Sequence, residues 1–269
     1  MVPHMRITSR QNPRVKDAAR LRNRSERTKQ QRFLIDGARE IARAVAAGIH
    51  CVEAFVCNEL CESDECHNAV DRLVNAGTEV FEVTPDVYAK LAFGERDDGV
   101  VVVAQTPQRR LDDLKLPSRP LIAMLEGLEK PGNVGAILRS ADAAGMDAVV
   151  FCDGRTDLFN PNLIRASLGT VFRENVCEAS AKDALRWLGA YHVPIVAARP
   201  DADQLYTEVN MRDGAALVLG SEAAGLTDAW HGAHITAVRL PMHGIADSLN
   251  VSTTAAVLFY EALRQRGSS

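Results

Sequence analysis

The sequence is poor in the features that mark several broad classes of protein. None of its apolar stretches reaches the roughly 18 uninterrupted residues of a membrane-crossing helix. Its opening residues carry no apolar signal-peptide core, and Met1–His4 are given no functional weight. A cytoplasmic protein with no membrane partner is therefore expected. Six cysteines (51, 57, 61, 66, 152 and 177) in 269 residues are too few for a disulfide scaffold. Cys57, Cys61, Cys66 and His67 lie close together, but the cluster lacks the second closely spaced ligand pair of a structural zinc site. Cys51 and Cys57 fall in an apolar strand-like run, where a thiol behaves as a small hydrophobe. His231, His234 and His243 read as surface or loop residues, so no metal is expected. Neither G-x-G-x-x-G nor G-x-x-x-x-G-K-[ST] occurs, which argues against the ordinary dinucleotide and P-loop folds.

What the chain does have is an uneven charge distribution. The net charge is only −4, yet Met5–Arg32 contains ten basic residues (Arg6, Arg10, Arg14, Lys16, Arg20, Arg22, Arg24, Arg27, Lys29 and Arg32) against Asp17 and Glu26. That local excess of eight is rich in arginine, whose planar fork suits phosphate. A solvated helix face is the plain alternative. The run is nearly free of acids to pair with, which favours an RNA-facing surface with Arg10, Arg14, Arg20, Arg22 and Arg24 as candidate contacts.

Hydrophobic periodicity predicts two α/β regions. In the first, helices are expected over about Pro13–Lys29, Ala38–Ala47, Asp64–Ala76 and Pro85–Ala92, with strands at Cys51–Cys57, Glu79–Val83 and Val100–Gln105. Gly94–Gly99 reads as a polar loop. Thr106–Pro120, with three prolines and few apolar residues, reads as a linker. Domains are thus expected at 5–106 and 120–266, joined by 107–119. In the second region, strands at Leu121–Leu125, Ala148–Phe151, Pro194–Ala198, Ala215–Leu219 and Ala237–Leu240 alternate with helices at Val134–Ala144, Pro161–Leu168, Lys182–Tyr191 and Ser252–Arg266. Such alternation calls for a mainly parallel sheet covered by helices.

Three segments of the second region pair a Gly or Pro turn with polar residues after an apolar run. They are Lys130-Pro131-Gly132-Asn133-Val134-Gly135-Ala136-Ile137-Leu138-Arg139-Ser140-Ala141, then Leu219-Gly220-Ser221-Glu222-Ala223-Ala224-Gly225-Leu226, and finally Leu240-Pro241-Met242 with Asp247-Ser248-Leu249-Asn250-Val251-Ser252. Asn133 sits where a helix N-cap is expected, and Arg139 about one and a half turns further on. Position alone leaves a ligand contact and an ordinary cap with a surface arginine equally open. Gly220 and Gly225 can let the backbone approach a ligand and adopt positive φ. Ser248 and Asn250 alone would be ordinary turn and cap residues.

Taken in order, the three segments resemble the motifs of the SpoU (TrmH-type) RNA ribose 2′-O-methyltransferases of the SPOUT superfamily. Ile7–Lys16 and Phe33–Gly37 resemble the opening of the small substrate-recognition domain attached to many of these enzymes, itself similar to ribosomal RNA-binding proteins. The resemblance implies a C-terminal trefoil knot, which no hydrophobic pattern would suggest. It also implies S-adenosylmethionine as methyl donor, held by main-chain groups at Gly220, Leu240 and Leu249, with a further contact at Ala197. Asn133, Arg139, Glu222, Ser248 and Asn250 become the candidate catalytic residues, and Arg165 a candidate phosphate contact with a structural ion pair as its alternative. Arg139 either takes the 2′-hydroxyl proton or stabilises the developing alkoxide. A guanidinium is a poor base in water. The implied partners are RNA, most of all ribosomal RNA, and a second copy of the chain bound through the C-terminal domain; DNA is not expected. A transfer-RNA methyltransferase and a catalytically idle RNA-binding or assembly protein of the same fold are the alternatives.

Overall fold

A computed structural model describes residues 5–93 and 98–267. Residues 1–4 and residues 94–97 of the expected polar loop lie outside them. The chain divides into two compact units, residues 1–108 with 157–172, and residues 109–156 with 173–269.

The first unit is built on a five-stranded sheet. Its elements are β1 (Met5–Ile7), α1 (Pro13–Arg20), α2 (Arg24–Gln30), β2 (Arg32–Asp36), α3 (Ala38–Ala46), β3 (Cys51–Val56), α4 (Asp64–Asn75), β4 (Glu79–Val83), α5 (Pro85–Leu91) and β5 (Val100–Gln105). The strand order is β1-β4-β3-β5-β2, with β1, β4 and β3 parallel and β5 antiparallel to both β3 and β2. Apolar side chains from both ends of the unit's sequence, among them Val15, Leu34, Phe55, Phe81 and Val103, fill one core.

The helix expected over Pro13–Lys29 is two helices. The backbone leaves helical geometry at Asn23 (φ −89°, ψ 132°), which caps α2. The buried Arg27 guanidinium explains the break, because it donates to the carbonyls of Leu21 and Arg22 (both 2.8 Å) that a continuous helix would have used internally. Arg27 also forms a two-point ion pair with Asp157 (3.1 and 2.6 Å). Residues 157–172, which the expected boundaries place in the second domain, pack into this first unit. Phe159 and Phe172 lie 4.6 and 6.0 Å from the Phe33 ring, centroid to centroid. Cys61 and Cys66 form a disulfide, which their spacing did not reveal; the other four cysteines are free and buried.

The second unit contains β6 (Leu121–Glu126), α6 (Pro131–Ala143), β7 (Ala148–Cys152), β8 (Val176–Ala179), α8 (Ala181–Ala190), β9 (Ile195–Ala198), β10 (Ala215–Leu219), β11 (Ile235–Val238) and α9 (Val251–Gln265), while α7 (Pro161–Ala166) belongs to the first unit. All six strands are parallel, in the order β11-β9-β10-β6-β7-β8. Residues of β6 and β10 are buried throughout, as expected where helices cover both faces of a parallel sheet. β8 was not anticipated, and the last strand lies two residues earlier than expected. Among the described residues no helix is long and apolar enough to cross a membrane.

Candidate active site

The carboxyl ends of β6, β9, β10 and β11 lie on one edge of the second unit's parallel sheet, the edge where α/β proteins bind ligands. The loop after β10 is held there by Glu126, the last residue of β6. Its buried carboxylate accepts from the Thr227 backbone N–H (2.8 Å) and hydroxyl (2.7 Å). Within the loop, Ser221 and Gly225 pair their backbones, and Ser221 Oγ accepts from the Ala224 N–H (3.0 Å). Gly225 has φ +66°, the left-handed region open to glycine. A Cβ at Gly220 would stand 2.4 Å from the Gly225 carbonyl carbon. The close approach that requires glycine at 220 is therefore the loop's approach to itself.

Two cavities open along this edge. The first, about 250 Å³, is walled by the ends of β9, β10 and β11 and by residues 247–254. Gly220, Leu240 and Leu249 line it, as expected of donor contacts, together with Ser248 and Glu222. Ala197 does not. Its side chain is buried in the sheet's core, and its neighbour Ala198, on the opposite face of the strand, lines the cavity instead. The second cavity, about 270 Å³, is lined by Leu128, Lys130, Asn133 and Ala223, and shares Ser221, Glu222 and Val251 with the first.

Glu222 is the junction. Its Oε1 accepts from Asn133 Nδ2 (2.8 Å) and Asn250 Nδ2 (2.5 Å), while Lys130 Nζ donates to Oε2. Asn250 Nδ2 also lies 3.4 Å from Asn133 Oδ1. Asn250 Oδ1 caps α9 by accepting from the Ser252 N–H (2.9 Å) and hydroxyl (2.6 Å). Both ends of the Asn250 amide are thus committed. The Lys130 hydrogen bond, with help from Asn133, holds the Glu222 carboxyl below its ordinary range, and the same contact raises the Lys130 ammonium above its own. With its acid ionised and accepting from Lys130, Asn133 and Asn250, the junction acts as a hydrogen-bond hub at neutral pH.

Asn133 is not the N-cap of α6. Lys130 occupies that position, Pro131 is the first helical residue, and the helix thus starts three residues before the expected site. The Asn133 side chain is consequently released from capping and turns to Glu222. Lys130 lies within the first motif, but nothing in the sequence alone marks its contact with Glu222. Glu126 was missed as well; a lone acid ending an apolar strand carries no signal until its partner, 101 residues away, is known.

Arg139 lies on the exposed face of α6 and lines neither cavity. Arg165, which belongs to the first unit, donates to the Phe93 carbonyl. The basic run near the start of the chain finds acids after all, because folding brings them from elsewhere. Arg6 pairs with Glu82, Arg10 with Asp86, and Arg14 with Glu53 and Glu79 while lying 4.7 Å above the Phe81 ring. Arg20 pairs with Asp17, and Arg22 donates to the Ala92 carbonyl. Arg24, Lys16, Lys29 and Arg32 are exposed. Among the described residues, no group of three or more His, Cys, Asp or Glu is placed to hold a metal ion.

Residues 120–260 match the profile of the SpoU rRNA Methylase family, and residues 12–102 that of the MRM3-like substrate binding domain. A Bacillus subtilis (strain 168) relative, the 23S rRNA (guanosine(2553)-2′-O)-methyltransferase RlmP, is 29% identical over 94% of this chain and 97% of its own length. A crystal structure of an RNA 2′-O ribose methyltransferase is 45% identical, with a TM-score of 0.84 over 98% of this chain and all of its own. The SpoU methyltransferase AviRb from Streptomyces viridochromogenes, solved in complex with AdoMet, superposes with a TM-score of 0.86 at 27% identity, over 96% of this chain and 99% of that one. The chain belongs to the SpoU rRNA methylase family.

Proposed function

We propose that this protein is an S-adenosylmethionine-dependent RNA methyltransferase that modifies a ribose 2′-hydroxyl, with 23S-type ribosomal RNA as its substrate. The observation that carries the reading is the Glu222 junction: one ionised carboxylate, held by Lys130, Asn133 and Asn250, forms a shared wall of two adjoining cavities. The first cavity suits the donor chemically. Leu240, Leu249, Met242 and Val238 give it an apolar lining for a flat base, and Ser248, Asp247 and Glu222 give it polar groups for a ribose and an amino-acid end. S-adenosylmethionine supplies an activated methyl that needs no metal.

The second cavity is the place for the acceptor ribose, so that the hub aligns the two reactants. Alignment of bound partners contributes much of the rate of a two-substrate reaction. Glu222 stays ionised and acts by orienting the Asn133 and Asn250 amides. Arg139, exposed on α6, stabilises the developing alkoxide or holds the neighbouring phosphate once a second copy and RNA are in place. In this reading the active form is a homodimer built through the second unit, working in the cytoplasm, with its loops around 220–226 and 240–250 forming the trefoil knot of the SPOUT fold. The domain assignment follows as 5–106, joined by the returning stretch 157–172, for RNA recognition, and the rest of 120–266 for methyl transfer, with 107–119 as the linker. RNA contacts come from the first unit's basic surface, including Arg10, Arg14, Arg20, Arg22 and Arg24.

Titration calorimetry with S-adenosylmethionine, followed by mapping of 2′-O-methylation on ribosomal and transfer RNA from cells with and without the gene, tests the reading. Donor binding and one missing ribosomal methyl are expected. No donor binding would indicate an idle RNA-binding protein, and a missing methyl in transfer RNA would transfer the activity there.

A further inference from the structure

Both acids that line the second cavity are ion-paired, Glu222 with Lys130 and Glu129 with Arg155. The Lys130 side chain is 72% exposed and that of Glu222 29%. An ion pair so open to water adds little to folding stability. Its location is more telling, because among the described residues Lys130 is the one cation lining the second cavity, while Arg199 and Arg239 line the donor side and Arg199 is engaged by Asp201. A bare Glu222 carboxylate would attract a sulfonium in the first cavity and repel a phosphodiester entering the second. These demands oppose each other across one side chain.

We propose that Lys130 is a positioning residue that balances the charge of the wall between the two cavities, holding Glu222 in place for the asparagine amides and screening it from incoming RNA phosphate. The inference rests on the methyl-transfer reading above. As the N-cap residue preceding Pro131, Lys130 is anchored by its backbone at the start of α6, so its ammonium reaches Glu222 from a fixed point. With the counter-ion removed, Glu222 keeps the Asn133 and Asn250 amide donors and the Val251 backbone N–H, but a full negative charge faces both cavities. Donor discrimination should then change in a direction that a merely structural lysine would not produce. S-adenosylmethionine carries a sulfonium charge and S-adenosylhomocysteine does not, so the ratio of their affinities reports the field at the wall.

The test uses the full chain with Lys130→Met and Lys130→Arg, measuring affinities for both nucleosides by calorimetry and kcat and KM for ribosomal RNA. For Lys130→Met, preference for S-adenosylmethionine over S-adenosylhomocysteine should rise about threefold, the scale of one unscreened charge several ångströms away in a wet site. The KM for RNA should rise by about the same factor or more, and more steeply at low salt. Lys130→Arg should restore both. An unchanged affinity ratio and RNA KM in Lys130→Met would overturn the proposal, as would equal defects in the methionine and arginine variants. Failure of the wild-type protein to bind the donor would instead refute the methyl-transfer reading itself.

Discussion

At the scale of single residues, the site divides into side chains whose roles are fixed by neighbours and one that awaits them. Arg139 is the latter, exposed and outside both cavities. Arg139→Ala should retain donor binding and the fold but lose more than nine-tenths of the methyl-transfer rate, which corresponds to over about 1.4 kcal/mol of barrier. Single-turnover assays with saturating RNA check this, and a variant above a tenth of the wild-type rate would make Arg139 peripheral. A second residue carries a pH dependence. Burial pushes the Asp36 carboxyl up to about 6, although its Oδ2 accepts from the Phe93 N–H (2.6 Å) and Arg165 lies nearby. The native state therefore holds this proton more tightly than the unfolded chain. Its contribution is favourable at low pH and is lost as pH rises from about 4 to about 6, by up to about 3 kcal/mol. Asp36→Asn, which can still accept from Phe93, should remove that slope in urea unfolding at pH 4 and pH 7. The sequence disclosed the identity of Asn133, Glu222, Ser248 and Asn250 as a set, but not what they touch. The Lys130 contact depends on where α6 begins, and Pro131-Gly132 reads equally as a turn or as a first helical turn.

Among the elements, the loop after β10 is the most constrained part of the site. Its tightness rests on glycine at 220, since an added methyl would meet backbone atoms that cannot swing aside. Gly220→Ala should cost about 1–3 kcal/mol of stability through overpacking and weaken donor binding at least about tenfold. Thermal melts and calorimetry measure the two effects, and an unchanged donor affinity would place the loop outside the donor site. The buried strands β6, β7 and β10 were legible because a two-face-covered parallel strand must be a dense apolar run. The break between α1 and α2 was not. The helix pattern is continuous in sequence, and the side chain that ends it, Arg27, is held by an aspartate 130 residues away. The pairings of Arg10 and Arg14 escaped notice for the same reason: their acids lie on β3, β4 and α5, so a local count of charges overstated the free positive surface.

For the molecule as a whole, charge and assembly are the quantities to measure. Lys16, Lys29 and Arg32 are exposed, and reversing all three should weaken RNA binding and reduce the slope of log affinity against log salt by about 2. An unchanged slope would make this run a solvated face. The oligomeric prediction rests on α9, which packs on α6 and β10 while leaving Tyr260 half exposed. Light scattering at micromolar concentration should give twice the 29.3 kDa of one chain. A fully active protein with the mass of a single chain would rule out the dimer. The return of residues 157–172 to the first unit has a further consequence, for the gene rather than the enzyme. The two matched family regions sit end to end and look like modules that recombination could exchange at a single junction. The fold disfavours a cut at that point. A gene cut after codon 108 would encode a sheet whose Phe33 has lost Phe159 and Phe172, and the remainder would carry Leu163, Ile164 and Val171 with nothing to bury them. A substrate-binding half traded between lineages is therefore expected to bring this internal stretch with it, or to need compensating substitutions on both sides of the junction.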